Sequence, residues 1–272
     1  RHASTDANGV LTLVGTPSPA RSLQGTCAAV RPNAHTHEFP PRGGIPAARQ
    51  DVLTDDALEI LQYAADAVAA GIPAALVTLV EVHGGAARQP GAQMVVLADG
   101  RYCGFVSGGC VEAAAAREAS EAIASGRDRV VRFGEGSDYF DIVLPCGGGI
   151  TLAIHVIRSG LPLQHTLERL YRRQSAGLAY VPSDSSLAFV PHTAFTGWRD
   201  GQFLLALSPR PRLVIFGSSI EASCTASLAR AAGYEVALAN DAAPVPSIDE
   251  FTAIALLFHD LDREVRPLRE AL

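Results

Sequence analysis

Between Ala74 and Ile157 five apolar runs follow one another: AALVTLVEV, AQMVVLAD, RYCGFV, DRVVRF and ITLAIHVI. They are short and rich in β-branched residues, so each predicts a strand. Asp99-Gly100, between the second and third runs, is a strong hairpin signal. A single helical stretch, alanine-rich and stopped by Gly126 near Ser125, interrupts the series. Ahead of it, LTDDALEILQYAADAVAAGIP predicts a helix in which Leu58, Leu61, Ala65 and Val68 recur at helical spacing. Thr54 is placed to cap this helix, Asp55 and Asp56 sit in its positive first turn, and Gly71 and Pro73 end it.

Residues 161–174 predict an amphipathic helix, followed by short strands with Pro, Ser and Asp turns. From about Arg210 the pattern changes. RLVIFG, YEVALAND and FTAIALLFHD predict strands, with IEASCTASLARAAG and REVRPLREAL as helices. Alternation of strand and helix predicts parallel βαβ units. The expectation is an α/β protein in three parts: a weakly patterned segment over 1–50, a domain with its connecting segment over 51–209, and a second domain over 210–272.

Composition removes several functions. All 22 positive residues are arginine, with no lysine anywhere. A Walker phosphate loop and a Schiff-base lysine are therefore excluded. A net charge of −6 argues against a nucleic-acid binder. No apolar run approaches the ~20 residues of a membrane span, and residues 1–10 are polar, without a secretory pattern. Five cysteines at irregular spacing (Cys27, Cys103, Cys110, Cys146 and Cys224), with no C-x-x-C, fit neither a zinc ribbon nor a disulfide framework. Reduced thiols in a cytoplasmic protein are expected. His35 and His37 form an H-x-H pair in PNAHTHEFPPRGG, but no nearby Cys or carboxylate cluster completes a metal site, so the stretch reads as a polar loop.

Three glycine-rich turns bring polar chemistry to strand ends. In EVHGGAARQPGAQM, Gly84 and Gly85 permit unusual backbone shapes, Arg88 supplies a fork for a phosphate or carboxylate, and Gln93 adds a neutral donor and acceptor. An ordinary glycine loop with a surface arginine is the alternative. In VSGGCVEAAAA, Gly108 and Gly109 can present bare N–H groups at a helix start, a favourable place for an anion, and Glu112 in the first turn complements the helix dipole. In PCGGG, Gly147 and Gly148 can do the same before a strand. A single cysteine is more often a buried small hydrophobe than a functional thiol. Its place before a helix N-terminus sets Cys110 above the other four.

Taken together, LVTLVEVHGGAARQPGAQMVVLADGRYCGFVSGGCVEAAA and VLPCGGGITLAIHVI resemble the XdhC/CoxI family over roughly residues 57–158. The resemblance implies an accessory protein that binds molybdenum cofactor, supports its sulfuration and hands it to an apo molybdenum hydroxylase such as xanthine dehydrogenase. A cysteine desulfurase would then be a separate partner, and a homodimer is implied by the family alone. Gly84, Gly85, Arg88, Gln93, Gly108, Gly109, Glu112, Gly147 and Gly148 become candidate cofactor contacts, and Cys110 and Cys146 candidates for meeting the metal or relaying sulfur. The resemblance also implies a mixed-sheet N-terminal α/β domain followed by a Rossmann-like parallel α/β domain. In FGSSIEA, Gly217 matches the first fingerprint glycine, and Asp241 follows at a distance suited to a ribose contact. Ser219 stands where a second glycine would admit a pyrophosphate, which argues against NAD(P). His259 and Asp260 match the family's strand-end His-Asp and are candidates for lining the cofactor cleft. The competing readings are an NAD(P)-dependent oxidoreductase using residues 210–272, and a structural bridge between sulfur donor and hydroxylase.

Overall fold

A computed structural model describes residues 2–5, 11–14, 54–137, 144–239, 247–258 and 261–271. The elements are, in chain order, β1 (His2–Thr5), β2 (Leu11–Val14), α1 (Ala57–Ala69), β3 (Ala74–His83), β4 (Gln93–Leu97), β5 (Tyr102–Gly104), α2 (Glu112–Ser125), β6 (Arg129–Gly134) and β7 (Gly149–Val156). There follow α3 (Leu161–Tyr171), β8 (Ala176–Val181), β9 (Ser186–Val190), β10 (Gly197–Arg199), β11 (Gln202–Leu207), β12 (Arg212–Phe216), α4 (Ile220–Ala231), β13 (Glu235–Ala239), β14 (Thr252–Leu256) and α5 (Leu261–Ala271). The backbone groups into two units: Gly44–Arg210, and Pro211–Leu272 together with Arg1–Gly43.

In the unit Gly44–Arg210 one sheet has the order β5-β4-β3-β7-β6, antiparallel at every junction. Among the described residues of this unit, the expected parallel βαβ pairing and mixed sheet are not found. The reason is connection length. The 84–92 loop and the Asp99-Gly100 hairpin, where Gly100 has φ +84, are too short for the crossover a parallel pair needs. The one helical crossover, through α2, leads from edge strand β5 to the opposite edge strand β6, so it creates no adjacent parallel pair.

β3 is buried on both faces, which explains why its sequence is apolar without alternation. Leu76 and Val80 of β3, with Val95 and Leu97 of β4, pack under α1 and α3. Ala75, Val77 and Leu79, with Met94 and Val96, pack under α2. An irregularity in the β3–β7 register falls between Leu79 and Glu81. A second sheet, β10-β11-β8-β9, is also antiparallel. Its Leu178, Tyr180, Phe203, Leu205 and Leu207 share the core of α1 and α3. The unit is therefore layered: α2, the five-stranded sheet, the α1/α3 pair, and the four-stranded sheet.

The predicted helices are present, with adjusted details. Asp56, rather than Thr54, caps α1, accepting from Leu58 N–H at 2.9 Å, while the Thr54 hydroxyl accepts from Asp56 N–H at 3.1 Å. The buried stripe of α1 is Ile60, Leu61, Ala64 and Ala67. Leu58, Ala65 and Val68 flank it, so the apolar face is rotated from the expected one. Gly71 at φ +71 closes the helix, and Gly126 at φ +65 closes α2.

In the unit that includes residues 211–272, β14, β12 and β13 are parallel, with α4 between β12 and β13 in sequence. The sheet continues through β2, parallel to β14, and β1, antiparallel to β2. Strands from the segment 1–50 thus hydrogen-bond into the sheet built by residues 211–272. Val214, Phe216, Ile254 and Leu256 form a core on one face, and Ile215, Ala222, Ala226 and Ala255 a core under α4. Cys27, His35, His37, Asp241, His259 and Asp260 lie outside the described residues. Among the described residues no helix is long and apolar enough to cross a membrane.

One buried charge ties layers of the first unit together. Asp128, just before β6, meets His155 Nδ1 of β7 at 2.8 Å, accepts from Val156 N–H at 3.0 Å and pairs with Arg158 at 2.8 Å. Tyr180 of the four-stranded sheet packs against the His155 ring, 5.4 Å between centroids. Burial works to raise the Asp128 carboxyl, but its bonds from His155 and Val156, the His155 charge and the Arg158 bond outweigh it and hold the group below its ordinary range. A carboxyl depressed in the folded state contributes stability above its unfolded pKa and loses it as pH falls through the folded value. The melting temperature should therefore fall as pH drops from about 5 toward 3. Asp128→Asn should lower it at neutral pH and flatten that acid limb; an unchanged acid limb in the variant would show that Asp128 is not its source.

Candidate functional site

The antiparallel order places the ends of β3, β5 and β6 and the starts of β4 and β7 at one edge of the five-stranded sheet. His83 pairs with Gly149, Gly134 with the same Gly149, and Met94 with Gly104. All three glycine motifs are carried by these strand ends, so they meet. A side chain added at Gly85 would meet the Cys146 carbonyl oxygen at 2.8 Å. One added at Gly148 would collide with the carbonyl oxygens of Gly85 and His83. One added at Gly84 would touch Gly148 Cα at 3.4 Å, and one at Gly108 the Ala87 methyl at 3.4 Å. The 84–87 loop thus touches Cys146–Gly148 and also reaches the Gly108 turn. Gly84 (φ +71), Gly109 (φ +100) and Gly147 (φ +73) occupy the left-handed region that favours glycine.

The turn before α2 is organised by one buried pair. Glu112 is 2% exposed. Its carboxylate accepts from Ser107 N–H at 2.8 Å, Val106 N–H at 3.1 Å and Val111 N–H at 3.2 Å. The Ser107 hydroxyl donates to that carboxylate and accepts from Cys110 N–H at 3.1 Å. The sequence singles out Glu112 as a cofactor contact; the structure faces both its oxygens to the turn itself. The N–H groups of Cys110 and Val111 are likewise engaged within the turn. Gly108, Gly109 and Cys110 remain exposed, as do Cys146 and Gly147, while Gly148 is buried.

Arg88 and Gln93 lie on another part of the same edge. They line a cavity of about 370 Å³ with Asp55, Ala57 and Ile60 of the α1 end and with the 87–92 loop. The Arg88 guanidinium lies 4.6 Å from the centre of the Phe105 ring and 3.2 Å from Asp55. Gln93 is 4% exposed, and among the described residues neither its Oε1 nor its Nε2 has a hydrogen-bond partner. Neither Cys110 nor Cys146 lines this cavity. Among the described residues, no group of three or more His, Cys, Asp or Glu side chains could hold a metal.

The other cysteines are placed differently. Cys103 is buried, and burial, with Glu59 and Asp56 adding to it, pushes its thiol up to about 12. It is a core residue, whereas Cys110, Cys146 and Cys224 are free and exposed. In the unit that includes residues 211–272, Gly217 sits at the end of β12 with φ +151, where a side chain would meet the Leu257 carbonyl oxygen at 2.6 Å. Ser219 is the N-cap of α4 and accepts from Ala222 N–H. Sequence reasoning passed over Asp55 and Phe105, which hold Arg88, and Ser107, which completes the Glu112 turn. No local pattern marks the first two, because their contacts with Arg88 come from distant turns. Ser107, five residues before Glu112, carried a local signal.

Residues 67–134 match the profile of the XdhC and CoxI family. The chain is 54% identical over 224 residues to the molybdenum cofactor insertion chaperone PaoD of Escherichia coli (strain K12), covering 82% of this chain and 70% of that protein. A solved structure described as a xanthine dehydrogenase from Bacillus halodurans shares the fold, with a TM-score of 0.64 at 18% identity over 79% of this chain and 78% of that one.

The interlock of glycine loops has a measurable signature. Gly148→Ala should destabilise the protein by about 1–3 kcal/mol, because a methyl group there must push two backbone carbonyls apart. Gly108→Ala, which meets only a methyl group at ordinary contact distance, should change stability by less than about 0.5 kcal/mol. Urea denaturation of the two variants checks the contrast; equal stabilities would dissolve the interlock.

Proposed function

The chain belongs to the XdhC and CoxI family, and from that premise we propose that it binds molybdenum cofactor as cargo and supports its sulfuration and insertion into an apo molybdenum hydroxylase. The observation that carries this reading is the edge of the five-stranded sheet, where glycine backbone, two exposed thiols, a positioned guanidinium and a buried unpartnered amide occur together. These groups fit the cargo. A molybdopterin carries a phosphate, a flat polar ring and a sulfur-bound metal. Arg88 suits the phosphate, since its charge is permanent and its plane is held between Asp55 and Phe105. The Gly84–Gly85 and Gly147–Gly148 loops bring bare backbone to a ligand surface. When bound, the molybdenum centre supplies the redox chemistry used later by the hydroxylase; this chain's residues hold, shield and release it, and its thiols carry sulfur.

Cys110 and Cys146 serve sulfur chemistry in this reading. A thiolate of this chain takes the outer sulfur of a persulfide on a partner cysteine desulfurase, leaving that partner with a thiolate and this chain with the persulfide. The absence of lysine requires the desulfurase to be another protein. The unit with the parallel strands β12, β13 and β14 is read as Rossmann-like. A cytoplasmic location and a homodimer complete the proposal.

Purified protein mixed anaerobically with molybdenum cofactor should co-elute with it. Arg88→Ala should weaken that binding roughly 10-fold, the usual worth of one charged hydrogen-bonding partner. Absence of binding by the wild-type protein under reducing conditions would overturn the cargo reading. The double variant Cys110→Ala, Cys146→Ala should retain the wild-type melting temperature and lose activation of the partner hydroxylase. Full activation by that variant would remove the thiol role.

A further inference from the structure

Gln93 is a residue for which the described fold gives no reason, both polar atoms of its side chain being buried without a partner. Its neighbours along β4, Met94, Val95, Val96 and Leu97, are all buried and apolar. An apolar side chain of the same length would continue that strand without burying two unpaired polar atoms. Desolvating an amide without partners costs stability, and such exceptions in native proteins cluster where function needs them. Gln93 lines a cavity walled by Ile60 and Ala57 and shared with Arg88, and its amide lies just behind that wall with almost no exposed surface, so a ligand reaches it when the wall yields. A buried donor–acceptor group, an apolar wall and a fixed cation are the elements of a small-molecule site.

The amide presents an acceptor beside a donor in one plane. Its complement is the edge of a flat heterocycle with a donor next to an acceptor. We infer that this cavity, rather than the thiol rim at Cys146, is the seat of the cargo's pterin ring, with the Gln93 amide paired to the ring's donor–acceptor edge and Arg88 supplying charge for the phosphate. This rests on the cargo reading above. The seat divides the site in two: recognition occurs between α1 and the 87–93 segment, and sulfur chemistry at Cys110 and Cys146, neither of which lines the cavity. A nucleobase in a dinucleotide form of the cofactor carries the same edge chemistry, and the test separates the two.

The decisive comparison is wild type against Gln93→Met, with Gln93→Leu as a second variant if the first does not fold. A residue that serves the fold and one reserved for a ligand predict opposite signs. Without cargo, Gln93→Met should melt at the wild-type temperature or above, since the variant no longer buries an unpaired amide. It should bind nucleotide-free molybdenum cofactor roughly 10- to 100-fold more weakly, because the ring edge then loses its partner in a buried site. Wild-type binding with no loss in the variant would overturn this assignment and leave the cargo reading standing. Absence of binding by wild type would remove both. Titrations with GMP and CMP form the remaining arm. Gln93-dependent binding of either nucleotide, with undiminished binding of the nucleotide-free cofactor, would give the seat to the nucleobase and overturn the pterin assignment.

Discussion

The antiparallel pairing of β3 with β7 is the constraint on which the rest of the site depends. It brings His83 opposite Gly149 and so places the loop leaving β3 against the loop arriving at β7. At that junction the two backbones come closer than side chains would permit. Gly148 lies against the carbonyls of His83 and Gly85, and Gly85 against the carbonyl of Cys146. Paired glycines are therefore a geometric requirement of the strand junction before they are a feature of ligand binding. The exposed thiol of Cys146 is a consequence: the loop that carries it is fixed by backbone contacts on its buried side, which leaves Cys146 on the rim.

Around this junction the charged residues divide by what they face. Glu112 and Asp128 face inward, each accepting backbone N–H groups as well as side-chain donors, and each fixes a connection to an edge strand. Arg210 reaches back to Asp56 and Glu59 at the start of α1, so the end of the first unit is tied to the helix that walls the cavity. Arg88 has a different setting. Its partners, Asp55 and the Phe105 ring, hold the guanidinium in place while it remains part of a cavity wall. A charge positioned in advance would lose little freedom on meeting the anion of the proposed cargo, in a chain of net charge −6.

What the sequence revealed follows the range of the interactions involved. The helix stops at Gly71 and Gly126 and the Asp99-Gly100 hairpin are local, set by residues within one turn, and were legible. Strand direction in the first unit was not, because local alternation of strand and helix does not say which strands become neighbours. The pairing of Thr12 with Ile254 joins residues from opposite ends of the chain, so nothing near either residue announces it. Site residues show the same split. The glycine motifs and Arg88 could be found from residue type and order. The engagement of Glu112 with its own turn needs the three-dimensional path of residues 106–111. The isolation of the Gln93 amide is a property of everything around it.

Gly217 and Ser219 extend this distinction to the second unit. The chain at Gly217 passes between the ends of two parallel neighbours, with Gly217 N–H donating to the Ala239 carbonyl and Leu257 N–H donating to the Phe216 carbonyl. A side chain at Gly217 would strike the Leu257 carbonyl oxygen, so strand packing alone demands this glycine. Ser219 then opens α4 by capping it with its own hydroxyl. A second glycine at that position would leave the helix N-terminus open to a pyrophosphate; a serine cap instead supplies an internal acceptor for Ala222 N–H. The first element of the fingerprint is thus explained by the fold, and the second is replaced by a residue that serves the helix. The described residues at this turn therefore account for Gly217 and Ser219 by strand packing and helix capping.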